Sequence, residues 1–218
     1  MTDVTGRTVL IAGATSSAGR AVARALAAAG AQVVSVGSNS ERLAELEADV
    51  PGILTERCDL TDESDVAELA LRVRARVGHL DGLVHLVGGW RGGGGIAGQT
   101  EDDFRFLEGS LTALRHATRF FVDDLAASDA GRLLIVSSTS VARPTASNAN
   151  YTAVKAASEA WTLAVAQAFS ANESGDAAAA IVRVRALDGL EDALAEHVVG
   201  LWSTPAADVN GRIATLSA

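Results

Sequence analysis

Thr8-Val9-Leu10-Ile11-Ala12-Gly13-Ala14-Thr15-Ser16-Ser17-Ala18-Gly19 is the stretch on which the fold turns. The apolar run 8–12 reads as a short strand buried on both faces. It stops at Gly13 and gives way to an alanine-rich helix running to about Ala29, which Gly30 ends as glycine commonly does. A tight turn between such elements needs residues free of side-chain clash. In open α/β sheets ligands bind at the carboxyl ends of the strands. The first N–H groups of the helix there offer partial positive charge to a pyrophosphate. Gly13, Thr15, Ser16, Ser17, Ala18 and Gly19 are therefore candidate phosphate-cradle residues. The same pattern also occurs as a plain structural turn, so the remainder of the chain has to decide.

Outward from this unit the periodicity alternates. Strands are expected over 32–36, 53–58, 82–87, 132–137, 180–186 and 212–216, and helices over 41–48, to about 77, 101–125, 150–170 and 190–201. Thr61 or Asp62 caps the third helix. Residues 90–98 form a glycine-heavy loop and 172–180 a polar, small-residue loop. Strands alternating with helices predict an α/β fold of Rossmann type: a doubly wound parallel sheet of about seven strands, helices on both faces, in one domain over 1–218.

Composition agrees with a packed core. The chain is 48% hydrophobic and only 4% aromatic, with 21 glycines, which suits close helix–sheet packing. Net charge is −9 with no basic patch, against a nucleic-acid partner. No apolar run approaches the ~20 residues of a membrane helix. Cys58 is alone and no signal pattern opens the chain, so a cytoplasmic location is expected. His79, His85, His116 and His197 lack metal-ligand spacing, so no metal is expected and they read as surface or packed side chains.

Two later features bear on the cradle. Asp59, with Leu60, follows the third strand, where its carboxylate can accept from an adenine amino group; otherwise it belongs to a capping loop. Gly88-Gly89 follows the fourth strand, where small residues let backbone approach a ribose, or simply make a turn. Ser138 ends the fifth strand, and Tyr151 and Lys155 lie four apart on one face of the next helix. Hydroxyl, phenol and ammonium at one sheet edge form an acid–base set for carbonyl/alcohol interconversion. A free phenol titrates near 10, and a nearby ammonium favours its ionised form. By itself Tyr-x-x-x-Lys is more often a packed phenol beside a solvated amine, and its position behind a dinucleotide-type first half is what favours the acid–base reading. Arg91 with residues 92–95 reads as a mobile loop over the site edge or a surface loop, and Trp90 lines the site or merely packs. Trp161 reads as core or subunit interface.

Taken together, the first-turn glycines, Cys58-Asp59-Leu60-Thr61-Asp62, Gly88, Ser138, Tyr151-x-x-x-Lys155-Ala156-Ala157 and Val209-Asn210-Gly211 resemble the short-chain dehydrogenase/reductase family in order and spacing. The match covers nearly the whole chain, and the 13-residue interval from Ser138 to Tyr151 is the family's. The resemblance implies hydride transfer to or from a nicotinamide, on a small-molecule carbonyl or alcohol. Tyr151 is then the acid/base, Lys155 binds the nicotinamide ribose and lowers the phenol's pKa, and Ser138 polarises the carbonyl. It also implies a homodimer or homotetramer formed through the helices over 101–125 and 150–170.

Several positions depart from the family pattern. Ser17 replaces the middle glycine of the turn. His85-Leu86-Val87-Gly88 stands for Asn-Asn-Ala-Gly. Ser110 stands for the long-helix asparagine that anchors a proton-relay water, and is the fourth candidate catalytic residue. Asp188-Gly189 replaces Pro-Gly. Only 63 residues follow Lys155, so the usual substrate-covering insertion is short and an open pocket is expected. No acidic residue ends the second strand to take a ribose 2′-hydroxyl. Ser38 and Asn39, with Arg42, instead suit a 2′-phosphate, which favours NADP(H) over NAD(H). These departures also motivate an alternative: a non-catalytic dinucleotide-binding or scaffold protein of the same fold.

Overall fold

A computed structural model describes residues 3–171 and 176–217. Seven strands, β1 (Thr8–Ala12), β2 (Gln32–Gly37), β3 (Leu54–Arg57), β4 (Gly82–His85), β5 (Arg132–Ser138), β6 (Ala178–Val184) and β7 (Ile213–Thr215), form one sheet in the order β3-β2-β1-β4-β5-β6-β7. Every neighbouring pair is parallel. The order reverses between β1 and β4, where doubly wound sheets open a crevice for ligands.

Among the described residues seven α-helices connect the strands: α1 (Ser17–Ala28), α2 (Ser40–Asp49), α3 (Glu63–Val77), α4 (Glu101–Ala127), α5 (Ala149–Ser170), α6 (Glu191–Gly200) and α7 (Ala206–Val209). They cover both faces. Val22 and Leu26 of α1 and Leu194 and Val198 of α6 fill one core. Leu69 of α3, Leu114 and Phe121 of α4 and Phe169 of α5 fill the other. Strands buried on both sides need no alternation, which is why β1 is buried at every position and apolar throughout Val9–Ala12.

Local chemistry sets the helix starts. Asp62, not Thr61, caps α3, accepting from the N–H groups of Ser64 and Asp65. Thr100 caps α4 and Asn39 caps α2. The expected loop over 172–180 is shorter than read: Ala178–Val184 is strand, two residues ahead of the expected 180–186, while 172–175 lie outside the described residues. Alanine is a weak strand former, but pairing Arg132↔Ala178 through Ser138↔Val184 decides the matter.

At the sheet's amino-terminal end Arg132 is buried and donates to the carbonyls of Leu201, Gly131, Asp176 and Thr204. At the other end, β4, β5 and β6 stop short of the expected apolar runs or at hydroxyls. Their ends point into the crevice.

Candidate active site

A cavity of about 1060 Å³ opens at the carboxyl ends of β4, β5 and β6 beside the head of α1. Of the candidates it is lined by Ser16, Ser17, Ala18, Gly88, Ser138, Tyr151 and Lys155. Gly13, Thr15, Gly19, Ser38, Asn39, Asp59 and Leu60 lie outside that lining, in the turn after β1, the head of α1 and the ends of β2 and β3. They belong to the same edge of the sheet.

The turn is built as its glycines require. Gly13 has φ +84°, and a Cβ there would come 2.9 Å from the Leu86 carbonyl carbon. A Cβ on Gly19 would come 2.5 Å from the Ala14 oxygen. Ser16 caps α1, its Oγ donating to the Gly13 carbonyl at 3.0 Å and accepting from the Gly19 N–H at 3.0 Å. Ser17 begins the helix with an exposed side chain, and among the described residues no non-glycine has positive φ. Serine in place of the middle glycine is therefore accommodated. Ser17 and Ala18, the first two residues of α1, line the cavity, and a helix start leaves its first N–H groups without intrahelical partners.

Beyond β2, Asn39 accepts the Arg42 N–H at 2.9 Å, and Arg20, not Arg42, carries the ion pairs of that surface, to Glu45 and Asp49. Asp59 accepts from the Thr61 hydroxyl at 2.7 Å and its N–H at 2.9 Å, which hold its carboxyl below the usual range.

Ser138, the last residue of β5, accepts the Ser140 N–H at 3.1 Å, which starts the short turn Thr139–Ala142. The chain returns as α5, bringing Tyr151 and Lys155 to the cavity. Burial raises the Tyr151 phenol, and its hydrogen bond with the Ser138 hydroxyl lowers it by less. Burial, rather than the lowering expected from Lys155, thus dominates the phenol. The Lys155 ammonium donates to the Val136 carbonyl at 2.8 Å and stands 5.9 Å from the centre of the Tyr151 ring. Burial brings it down to about 8, against the opposing pull of Glu159.

Ser110 behaves differently from the other three. Its Oγ donates to the Leu107 carbonyl at 2.7 Å, within its own helix. Its carbonyl lies 3.1 Å from Nε2 of His85. His85 is buried at the end of β4, and burial, with the positive charge of Lys155, pushes it down to about 3. Two separate departures from the family pattern, at 85 and 110, therefore touch. In the sequence His85 reads as one of four scattered histidines and as a departure from the family's Asn-Asn-Ala-Gly; a histidine closing an apolar strand is the signal for more.

The glycine-rich loop after β4 is tied down. Gly93 N–H donates to the Ser147 carbonyl at 2.8 Å, Gln99 Nε2 donates to Gly93 at 2.8 Å, and Asn150 N–H donates to Gln99 Oε1 at 3.1 Å. Arg91 stacks over Phe106 at 4.0 Å. Trp90, 58% exposed, stands on the cavity wall. Trp161 donates to Thr118 Oγ1 at 2.9 Å, joining α5 to α4.

Residues 7–185 match the family described as short chain dehydrogenase. The chain is 31% identical over 157 residues to the 3-oxoacyl-acyl-carrier-protein reductase of Rickettsia bellii, covering 72% of this chain and 64% of that protein. It is 36% identical over 90 residues to the fatty acyl-CoA reductase of Acinetobacter baylyi, covering 39% of this chain and 30% of that one. The chain thus spans only part of these curated relatives, less than a third of the second. The crystal structure of a metagenomic short-chain oxidoreductase in complex with NADP superposes with a TM-score of 0.86 at 23% identity, over 99% of both chains.

Proposed function

The chain belongs to the short-chain dehydrogenase family, and on that premise we propose that this oxidoreductase interconverts a carbonyl and an alcohol using NAD(P), with Tyr151 as acid/base. The observation that carries the proposal is the convergence of Ser138, Tyr151 and Lys155 on one cavity beside the head of α1. The substrate is a small molecule.

The turn suits a dinucleotide. Gly13 and Gly19 keep backbone close where any side chain would collide. Ser17 and Ala18 offer N–H groups to phosphate, and the Ser17 hydroxyl adds a donor. A Cβ on Gly88 would stand 3.5 Å from the Lys155 Nζ, so glycine leaves room over the ammonium for a ribose. Ser38 and Asn39, exposed after β2 and without a carboxylate at that end, favour NADP(H) over NAD(H). Asp59, with Leu60, forms the adenine end.

A dinucleotide held by the α1 turn and Lys155 would supply or take up the hydride through its nicotinamide. Ser138 holds the substrate oxygen by hydrogen bond. Tyr151 would give its phenol proton to that oxygen when the carbonyl is reduced, and as phenolate take it back when the alcohol is oxidised. Lys155 offsets the phenolate charge. Ser110 contributes its backbone carbonyl, through His85, rather than its hydroxyl. We further propose one domain, assembled as a homodimer or homotetramer through α4 and α5.

Tyr151→Phe removes the transferable proton while keeping the ring. Turnover of an accepted carbonyl should fall by about 10²–10⁴-fold, with dinucleotide affinity nearly unchanged. Retained turnover would overturn the role of Tyr151. Dinucleotide binding without turnover across a carbonyl panel would favour a non-catalytic binder, the reading encouraged by the inward-turned Ser110 hydroxyl.

A further inference from the structure

The stripe of α5 that carries Tyr151 and Lys155 continues one turn further to Glu159. Glu159 is 4% exposed. A carboxylate so placed carries a large desolvation penalty unless it is paired and hydrogen-bonded. Both of its oxygens are engaged. Arg183 donates through Nε to Oε1 at 2.8 Å and through Nη2 to Oε2 at 2.6 Å, a two-pronged ion pair. Ser137 Oγ donates to Oε1 at 2.6 Å. Ser137 on β5 and Arg183 on β6 are register partners in the sheet, so Glu159 is gripped by one rung of the ladder.

That rung adjoins the reacting groups. Val136, Ser137 and Ser138 are consecutive on β5, and each meets one residue of the α5 stripe. Lys155 donates to the Val136 carbonyl, Glu159 accepts from Ser137, and Tyr151 stands beside Ser138 on the cavity wall. A slide or roll of α5 would break both bonds and carry the phenol away from Ser138. Stability alone is a poor reason for the arrangement, because buried ion pairs are often matched or bettered by apolar residues of similar volume. The planar guanidinium fork instead admits a narrow range of positions for its carboxylate.

We propose that Glu159, clamped on the Ser137–Arg183 rung, is a positioning residue for Lys155 and Tyr151: it sets the seat of α5 on the end of β5 and places a fixed negative charge one helical turn from the ammonium. The proposal rests on Tyr151 and Lys155 being the reacting pair. Around the ammonium stand Tyr151 and Glu159 on α5, the Val136 carbonyl on β5 and His85 on β4, and Arg183 on β6 acts through Glu159. With His85 neutral, Glu159 is the carboxylate whose charge acts on Lys155.

The chain supplies its own probe, since Lys155 is its only lysine and Tyr151 its only tyrosine. The full chain, made with lysine labelled with carbon-13 at Cε, yields a single side-chain resonance to titrate. The wild-type midpoint is expected at about 8. Glu159→Gln should lower it by about one pH unit. Arg183→Gln, which leaves the Glu159 charge uncompensated, should raise it. Glu159→Asp keeps the charge but shortens the reach to the rung; it should hold the midpoint while kcat falls about tenfold and KM changes little. Folded Gln variants that leave the midpoint in place, or move it in one common direction, would overturn the proposal. If Glu159→Gln does not fold, Arg183→Gln decides alone, its side chain being 21% exposed; an unmoved or lowered midpoint then refutes the coupling. The resonance needs no substrate. Its failure would leave the Tyr151→Phe result standing, and retained turnover in Tyr151→Phe would leave the coupling standing.

Discussion

Spacing places Tyr151 and Lys155 on one face of a helix, because a four-residue interval there is also a spatial one; choosing them with Ser138 as candidates also takes the strand end and the family resemblance. Glu159 obeys the same interval and was still not singled out. An acidic residue on a helix reads by default as solvated, and only the fold shows Arg183 and Ser137 waiting for it. His85 is the other residue whose meaning is tertiary. Buried and neutral, it titrates at about 3 in the folded chain against 6.5 ordinarily. The unfolded chain therefore binds a proton in that window that the folded chain refuses. The contribution to stability is full above pH 6.5 and is lost as pH falls toward 3, at up to about 1.4 kcal/mol per pH unit. His85→Asn should flatten the decline in stability between those values. Urea melts at stepped pH check this, and an unchanged slope would contradict it.

Among the elements, the helices were easier to place than the strands. Apolar periodicity and caps locate α1, α3 and α4 to within a residue or two, since a helix satisfies its backbone within itself. Strand limits depend on partners elsewhere. β4 ends at His85 rather than at 87, and β6 begins at Ala178 within an alanine run. Asn210 shows how the end of the chain is joined to α5: its Nδ2 donates to the Ala166 carbonyl and to Ser170 Oγ, both at 2.9 Å, while its Oδ1 accepts the Ala179 N–H at 3.0 Å. Sequence reading met Asn210 only as part of a closing motif. Asn210→Ala leaves three polar groups without that partner and should cost about 1–3 kcal/mol. A thermal melt with no loss would show that water replaces it freely.

At the scale of the whole molecule, the cavity exists because β1 and β4 send their connections to opposite faces of the sheet. Between β6 and α6 lie only residues 185–190, so little chain from that side covers it. The opposite wall comes from the pinned loop that carries Trp90. A dinucleotide bound there stabilises the folded state by linkage. NADPH at a hundredfold excess over its Kd should add about 2.7 kcal/mol and raise Tm by roughly 5–10 °C. NADH at the same concentration should raise it less. No shift with either would refute the dinucleotide reading.

The amino-acid sequence by itself determined the alternation of strands and helices, the glycine turn, and the spacing of Tyr151 and Lys155, because each follows from local periodicity and backbone freedom. Only the tertiary structure decided that Ser17 fits where glycine was expected, that His85 answers Ser110, and that Glu159 is buried on the Ser137–Arg183 rung. Those are contacts between residues far apart along the chain. Their energetics depend on desolvation and on a partner's position, and neither is written in any one segment.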